Sequence, residues 1–153
     1  MSFAAYSSVP KPHKKSLWLL DTGASQHMCN DITCFRTFKK WTAQVDFGGE
    51  NTDRKVHGSG DVLLRLRSQN NDPPTHLRLR NVLYIPKLRK NLICSYSLGE
   101  HGIDVAIRKN HFSLLKDGKC IGSCFVHNRL MYLHCGQRDQ FRDQFKLLMS
   151  VPM

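Results

Sequence analysis

From Leu17 onward the apolar residues of this chain come in short runs, each cut off by Gly, Asn, Asp or Pro. That punctuation constrains the fold more than any other feature. An amphipathic helix needs apolar positions recurring with a period of about 3.6 over roughly ten or more residues, whereas a strand needs only a handful bounded by turn residues. Leu17-Trp18-Leu19-Leu20 is stopped by Asp-Thr-Gly and suits a buried strand entering a turn. Gln44-Val45-Asp46-Phe47 and Arg54-Lys55-Val56-His57 flank Gly48-Gly49-Glu50-Asn51, the pattern of a hairpin with a glycine-bearing tip. Val62-Leu63-Leu64-Arg65-Leu66-Arg67 is a further strand, and Leu77-Arg78-Leu79-Arg80 alternates strictly. Val82-Leu83-Tyr84-Ile85, apolar throughout and closed by Pro86, reads as an interior strand. Later segments at 103–107, 111–115, 120–126 and 130–134 are strands, with Asp117-Gly118 as a tight-hairpin pair. One helix is expected, opening at Asn91 with Leu92, Ile93, Tyr96 and Leu98 near one face and ending at Gly99 or Gly102. The expected class is therefore all-β, a barrel with one short helix.

The length of 153 residues fits one domain with tails. Residues 1–15 form a proline-containing lead-in without the apolar core of a secretory signal, 16–135 the domain, and 136–153 a polar tail in which FRDQFKLLM has the pattern of a short amphipathic helix. No apolar run approaches the ~20 residues that cross a bilayer, so an intracellular, cytoplasmic protein without membrane contact is expected. Lys and Arg number 23 against 12 Asp and Glu, a net charge of +11 that favours anionic partners such as nucleic acid, though a solvated basic surface, or one inherited from a larger RNA-handling polyprotein, is the preferred reading over dedicated nucleic-acid binding. The basic residues are scattered among strands, and no recognition helix, RNA-binding sheet motif or zinc knuckle is present. Cys120, Cys124, His127, His134 and Cys135 are close in sequence, but their spacing matches no common zinc pattern and alternation would spread them over both strand faces. No metal or other cofactor is expected.

An aspartate directly after an apolar strand is unusual, because burying a lone carboxylate is costly. In Asp21-Thr22-Gly23-Ala24-Ser25 the glycine permits a turn and a close approach by substrate or a second chain. Thr22 offers a hydroxyl that can brace the turn. Such a loop presents one carboxylate, half of a known device: two aspartates about 3 Å apart share a proton. The charged member then draws a proton from water while the neutral one protonates a carbonyl oxygen. Only one Asp-Thr-Gly occurs here, so the second carboxylate must come from a second copy, and a two-fold homodimer is expected.

WLLDTGASQHMCND resembles the protease region of copia-type retrotransposon Gag-Pol polyproteins and, more distantly, the retroviral aspartic proteases. VHGSGDVLLRL matches that family's Val-x-Gly-x-Gly strand pair, and LRNVLYIPKLRKNLICSYSLGEHGIDV matches its Val-Leu-Tyr-Ile/Val-Pro strand leading to an Asn-Leu-Ile/Leu-Ser helix. The matches occur in order over roughly 17–133. The resemblance implies a closed pepsin-like β-barrel that dimerises and hydrolyses polyprotein or peptide substrates. Asp21 would be its catalytic carboxylate, Thr22, Gly23, Ala24 and Ser25 its active-site loop, and Gly48, Gly49, Glu50 and Asn51 its flap. Leu92-Ile93-Cys94 would stand where retroviral proteases carry an apolar-apolar-Gly turn, with Cys94 replacing the Gly. His27 matches a family histidine and is read as a structural hydrogen-bond partner in the turn, in preference to a proton-transfer role. The tail 136–153 would lead toward a pre-integrase region. Two rival readings are a catalytically silent retained barrel that serves as a scaffold, and a basic nucleic-acid-binding fragment.

Overall fold

The computed structural model describes residues 17–44, 54–67, 73–109 and 111–135. The expected lead-in 1–15, the flap tip at Gly48, Gly49, Glu50 and Asn51, and the tail 136–153 lie outside the described residues. Ten strands form one sheet: β1 (Trp18–Asp21), β2 (Met28–Cys29), β3 (Lys39–Gln44), β4 (Lys55–Leu66), β5 (Thr75–Tyr84), β6 (Asn91–Cys94), β7 (Ile103–Arg108), β8 (His111–Lys116), β9 (Lys119–His127) and β10 (Leu130–Leu133). A six-residue helix, α1 (Ser95–Glu100), follows β6, and a 3-10 turn spans Ile32–Cys34. Among the described residues the chain is thus all-β with one short helix.

The strand order is β3-β4-β5-β2-β6-β1-β10-β9-β8-β7. The long hairpin β4–β5 dominates one half, and the β7–β8–β9–β10 meander forms the other. The expected hairpin base is present, with Ala43 opposite Val56 and Gln44 opposite Lys55. The two strands expected at 77–80 and 82–85 are one strand, β5, which absorbs an irregularity at Asn81 (φ 55°) opposite the register shift between Gly60 and Val62. Asp117-Gly118 makes the β8–β9 turn with φ values of 52° and 75°, the doubly positive geometry that matches strand twist. Asn128-Arg129 does the same between β9 and β10, at 51° and 65°.

Alternation sorts the side chains. On β4, Val56, Val62, Leu64 and Leu66 point inward while Leu63 and Arg65 point out. On β1, Trp18 and Leu20 enter the main core with Leu79, Val82, Ile93, Leu98, Ile103, Leu114 and Leu133. A second cluster joins Met28, Val56, Leu83, Ile85 and Leu88. The sheet curls back on itself: Arg67 N–H donates to His134 O (3.0 Å) and Ser123 N–H to Arg67 O (3.2 Å), tying the end of β4 to β9 and β10. The ladders nevertheless run in an open order with ends at β3 and β7, so the closed pepsin-type barrel is not what the strand pairing draws.

The helix starts later than the periodicity suggests. Residues 91–94 are strand β6, which pairs parallel with β1 from Trp18↔Asn91 to Asp21↔Cys94 and antiparallel with β2 at Met28↔Leu92. Four residues with apolar neighbours on both sides serve equally as a first helical turn or a buried strand, and pairing between two strands satisfies their backbone groups where helix packing would not.

Candidate active site

Asp21 is the last residue of β1, a strand flanked by β6 and β10. The chain then turns through Thr22 and Gly23 and returns as β2, leaving a gap that β6 fills. Asp21 is half-buried, while Thr22, Gly23 and Ser25 are exposed and Ala24 is half-buried. Gly23 N–H donates to Asp21 Oδ1 at 2.7 Å, which fixes the carboxylate over its own turn. Ser95 Oγ donates to Asp21 O at 3.4 Å, anchoring the end of β1 to the start of α1.

His27 ties the far end of the loop. Its ring is buried, and Nδ1 accepts the N–H of Cys94 at 3.0 Å, while its carbonyl accepts from Leu83 N–H at 2.9 Å. Burial, aided by the nearby His101, lowers its pKa from 6.5 to about 4, so the ring is neutral at pH 7 and free to accept. This is the structural hydrogen bond expected of that histidine. Leu92-Ile93-Cys94 lies directly beside the aspartate loop, with the Cys94 thiol buried and its backbone N–H taken by His27. Within this chain the loop is braced by Gly23, His27 and Ser95.

Two asparagines missed by the sequence reading complete the frame. Asn91 is fully buried, and its Oδ1 accepts Asn30 N–H at 2.9 Å. Asn30 Nδ2 donates to Leu88 O at 2.8 Å, and Ile85 N–H to Cys29 O at 2.9 Å. The only signal available was an Asn directly preceding a buried apolar run, and that is also a helix-start pattern.

The Gly-x-Gly of β4 has a packing role. A Cβ on Gly60 would lie 1.8 Å from Thr37 O, and one on Gly58 would lie 2.4 Å from the Phe38 ring. Segment 35–38 crosses β4 at this place, with Arg36 N–H donating to Asp61 O at 2.8 Å. Phe38 closes an edge-to-face cluster with Phe35 (5.4 Å) and Tyr84 (5.8 Å) beside the base of the β3–β4 hairpin. All six cysteines are free thiols. Cys124 belongs to the core, and burial pushes its thiol up to about 12. Among the described residues no three His, Cys, Asp or Glu side chains are grouped to hold a metal ion.

The family model described as "Pol polyprotein, beta-barrel domain" matches residues 18–103, more than half of the chain and all of the frame around Asp21. The chain belongs to this family. Among its relatives, the retrovirus-related Pol polyprotein from transposon RE1 of Arabidopsis thaliana is 29% identical over 96 residues, which are 61% of this chain and 6% of that protein. The putative transposon Ty5-1 protein of Saccharomyces cerevisiae is 32% identical over 87 residues, covering 57% of this chain and 52% of the relative. The Pol polyprotein from transposon RE2 of Arabidopsis thaliana is 29% identical over 92 residues, 60% of this chain and 6% of that protein. The chain therefore spans about half of one of these relatives and a small part of the other two. No solved structure matches it. These relatives agree with the transposon origin suggested by the sequence motifs.

Proposed function

We propose that this domain is the aspartic endopeptidase of a copia-type transposon Pol polyprotein, with a pepsin-like barrel completed as a homodimer. The observation that carries the reading is the carboxylate of Asp21, held at the end of an interior strand by Gly23 N–H and backed by β6. An aspartate so placed, beside an exposed Thr22-Gly23 turn, can meet its copy across a two-fold axis. The two carboxylates then share one proton. The ionised Asp21 takes a proton from a water, which attacks the scissile carbonyl carbon, while the neutral Asp21 gives its proton to the carbonyl oxygen. Collapse of the tetrahedral diol expels the amine, protonated by the carboxyl that gained the water's proton, while the other carboxylate takes back a hydroxyl proton, leaving the carboxylic acid product and a pair that again holds one proton. The polyprotein itself is the substrate class this reading assigns, and the β3–β4 hairpin is the element it assigns as the cover over a bound peptide.

The test is cleavage of a peptide library by wild type and Asp21→Asn across an acid-to-neutral pH series, with the oligomeric state measured in parallel. Cleavage by wild type alone, with a bell-shaped profile belonging to the pair of carboxylates, is expected. Equal cleavage by both proteins would sink the assignment. Silence from a folded dimer would leave a retained scaffold as the reading.

A further inference from the structure

The outward face of the β4–β5 hairpin is cationic in a way the core does not require. Leu63 and Arg65 alternate with buried Val62, Leu64 and Leu66, and His76, Arg78 and Arg80 alternate with buried Leu77 and Leu79. The register sets Leu63 opposite Arg78 and Arg65 opposite His76, so these side chains stand on one surface. Arg36 joins them, because its backbone is tied to Asp61 by the crossing segment. Arg36, Asp61, Val62, Leu63 and Arg78 line a shallow cleft of about 230 Å³. Asp61 accepts Arg78 Nε (3.1 Å) and Nη2 (2.6 Å), which fixes that guanidinium flat beside the cleft while its side chain stays 54% exposed. Arg36, Arg65 and Arg80 have no carboxylate partner among the described residues.

We propose that this face is a phosphate-binding surface for single-stranded nucleic acid, separate from the Asp21 site. Guanidinium groups present planar forks that match phosphate oxygens. Side chains two residues apart on a strand repeat about every 6.7 Å, a regular spacing suited to a polymer with one charge per unit. A polyanion gains from all of these cations together, whereas an acidic peptide carries carboxylates only where its sequence supplies them. Among the described residues the face offers Leu63 as its one large apolar side chain and the His76 imidazole as its one ring, so phosphate contacts dominate and binding is largely independent of base sequence.

The experiment is fluorescence anisotropy of the full chain with labelled oligouridylate RNA and oligothymidylate DNA over a salt series. Three to four phosphate contacts predict a log–log salt slope of about −2 to −3, with similar affinity for both polymers because only phosphates are read. Arg65→Glu with Arg80→Glu removes two contacts and should weaken binding roughly 25-fold near 0.1 M salt. Arg65→Lys with Arg80→Lys should retain most of it. Arg108→Glu with Lys116→Glu makes the same change in net charge on β7 and β8 and should leave binding within about twofold. Equal loss from both charge-reversed pairs would mean that net charge alone binds, and would overturn the proposal. Displacement of RNA by polyglutamate at equal charge concentration would overturn it in favour of an acidic protein partner, and absence of binding at low salt would end it.

Discussion

Acid titration of His27 tests the tie between the aspartate loop and β6. With the neutral ring, Nδ1 accepts the buried Cys94 N–H; a protonated ring would face that N–H with a second donor. The folded state holds the pKa near 4 against 6.5 for a free histidine. A difference of about 2.5 units at 1.36 kcal/mol per unit amounts to roughly 3 kcal/mol. Between these values the unfolded chain binds the proton more readily, so the contribution is fully present above about pH 6.5 and is lost as pH falls toward 4. Urea unfolding at half-unit steps from pH 7.5 to 4.5 measures it. His27→Asn is the reference, since its Oδ1 can take the place of Nδ1 as acceptor but does not titrate. His134 is depressed in the same direction by burial and adds its own slope to both proteins, so the informative quantity is the difference between the two curves. The wild type should lose about 2 to 3 kcal/mol more than His27→Asn over this range. Parallel curves would refute the reasoning. If the slope is as expected, the acid limb of any proteolytic activity reports loosening of this loop as well as the aspartate pair.

Three backbone substitutions probe the frame more simply. Gly60→Ala should destabilise by on the order of 3 kcal/mol, because its Cβ meets the Thr37 carbonyl rather than a movable side-chain tip; a thermal melt at the wild-type temperature would contradict the crossing geometry. Gly99→Ala, in α1 with nothing within 4 Å of the added carbon, should stabilise by about 0.5–1 kcal/mol in a urea titration, and a loss would mean that the space is occupied. Arg129→Gly relieves a left-handed residue (φ 65°) in the β9–β10 turn and should raise stability by roughly 1 kcal/mol, with no change counting against a doubly positive turn.

Much of the local structure was legible because it depends on neighbours along the chain. The alternation in β4 and β5, the apolar run of β1 ending at Asp21, and the Asp117-Gly118 turn each follow from side-chain period or turn chemistry within a few residues. Asn128-Arg129 escaped notice because arginine rarely takes a positive φ. Periodicity also misplaced the helix start, since four residues cannot distinguish a helical turn from a buried strand.

The sequence by itself determined an all-β chain, the Asp117-Gly118 turn, and a carboxylate at a strand end. Tertiary structure decided what stands around that carboxylate. Cys94 meets His27 across 67 positions, Asn91 meets Asn30 across 61, and Gly60 admits a segment from the preceding strand connection. None of these partners can be inferred from local pattern, because a buried backbone group must be paired but its sequence does not name the partner. That choice is made when β6 enters between β1 and β2.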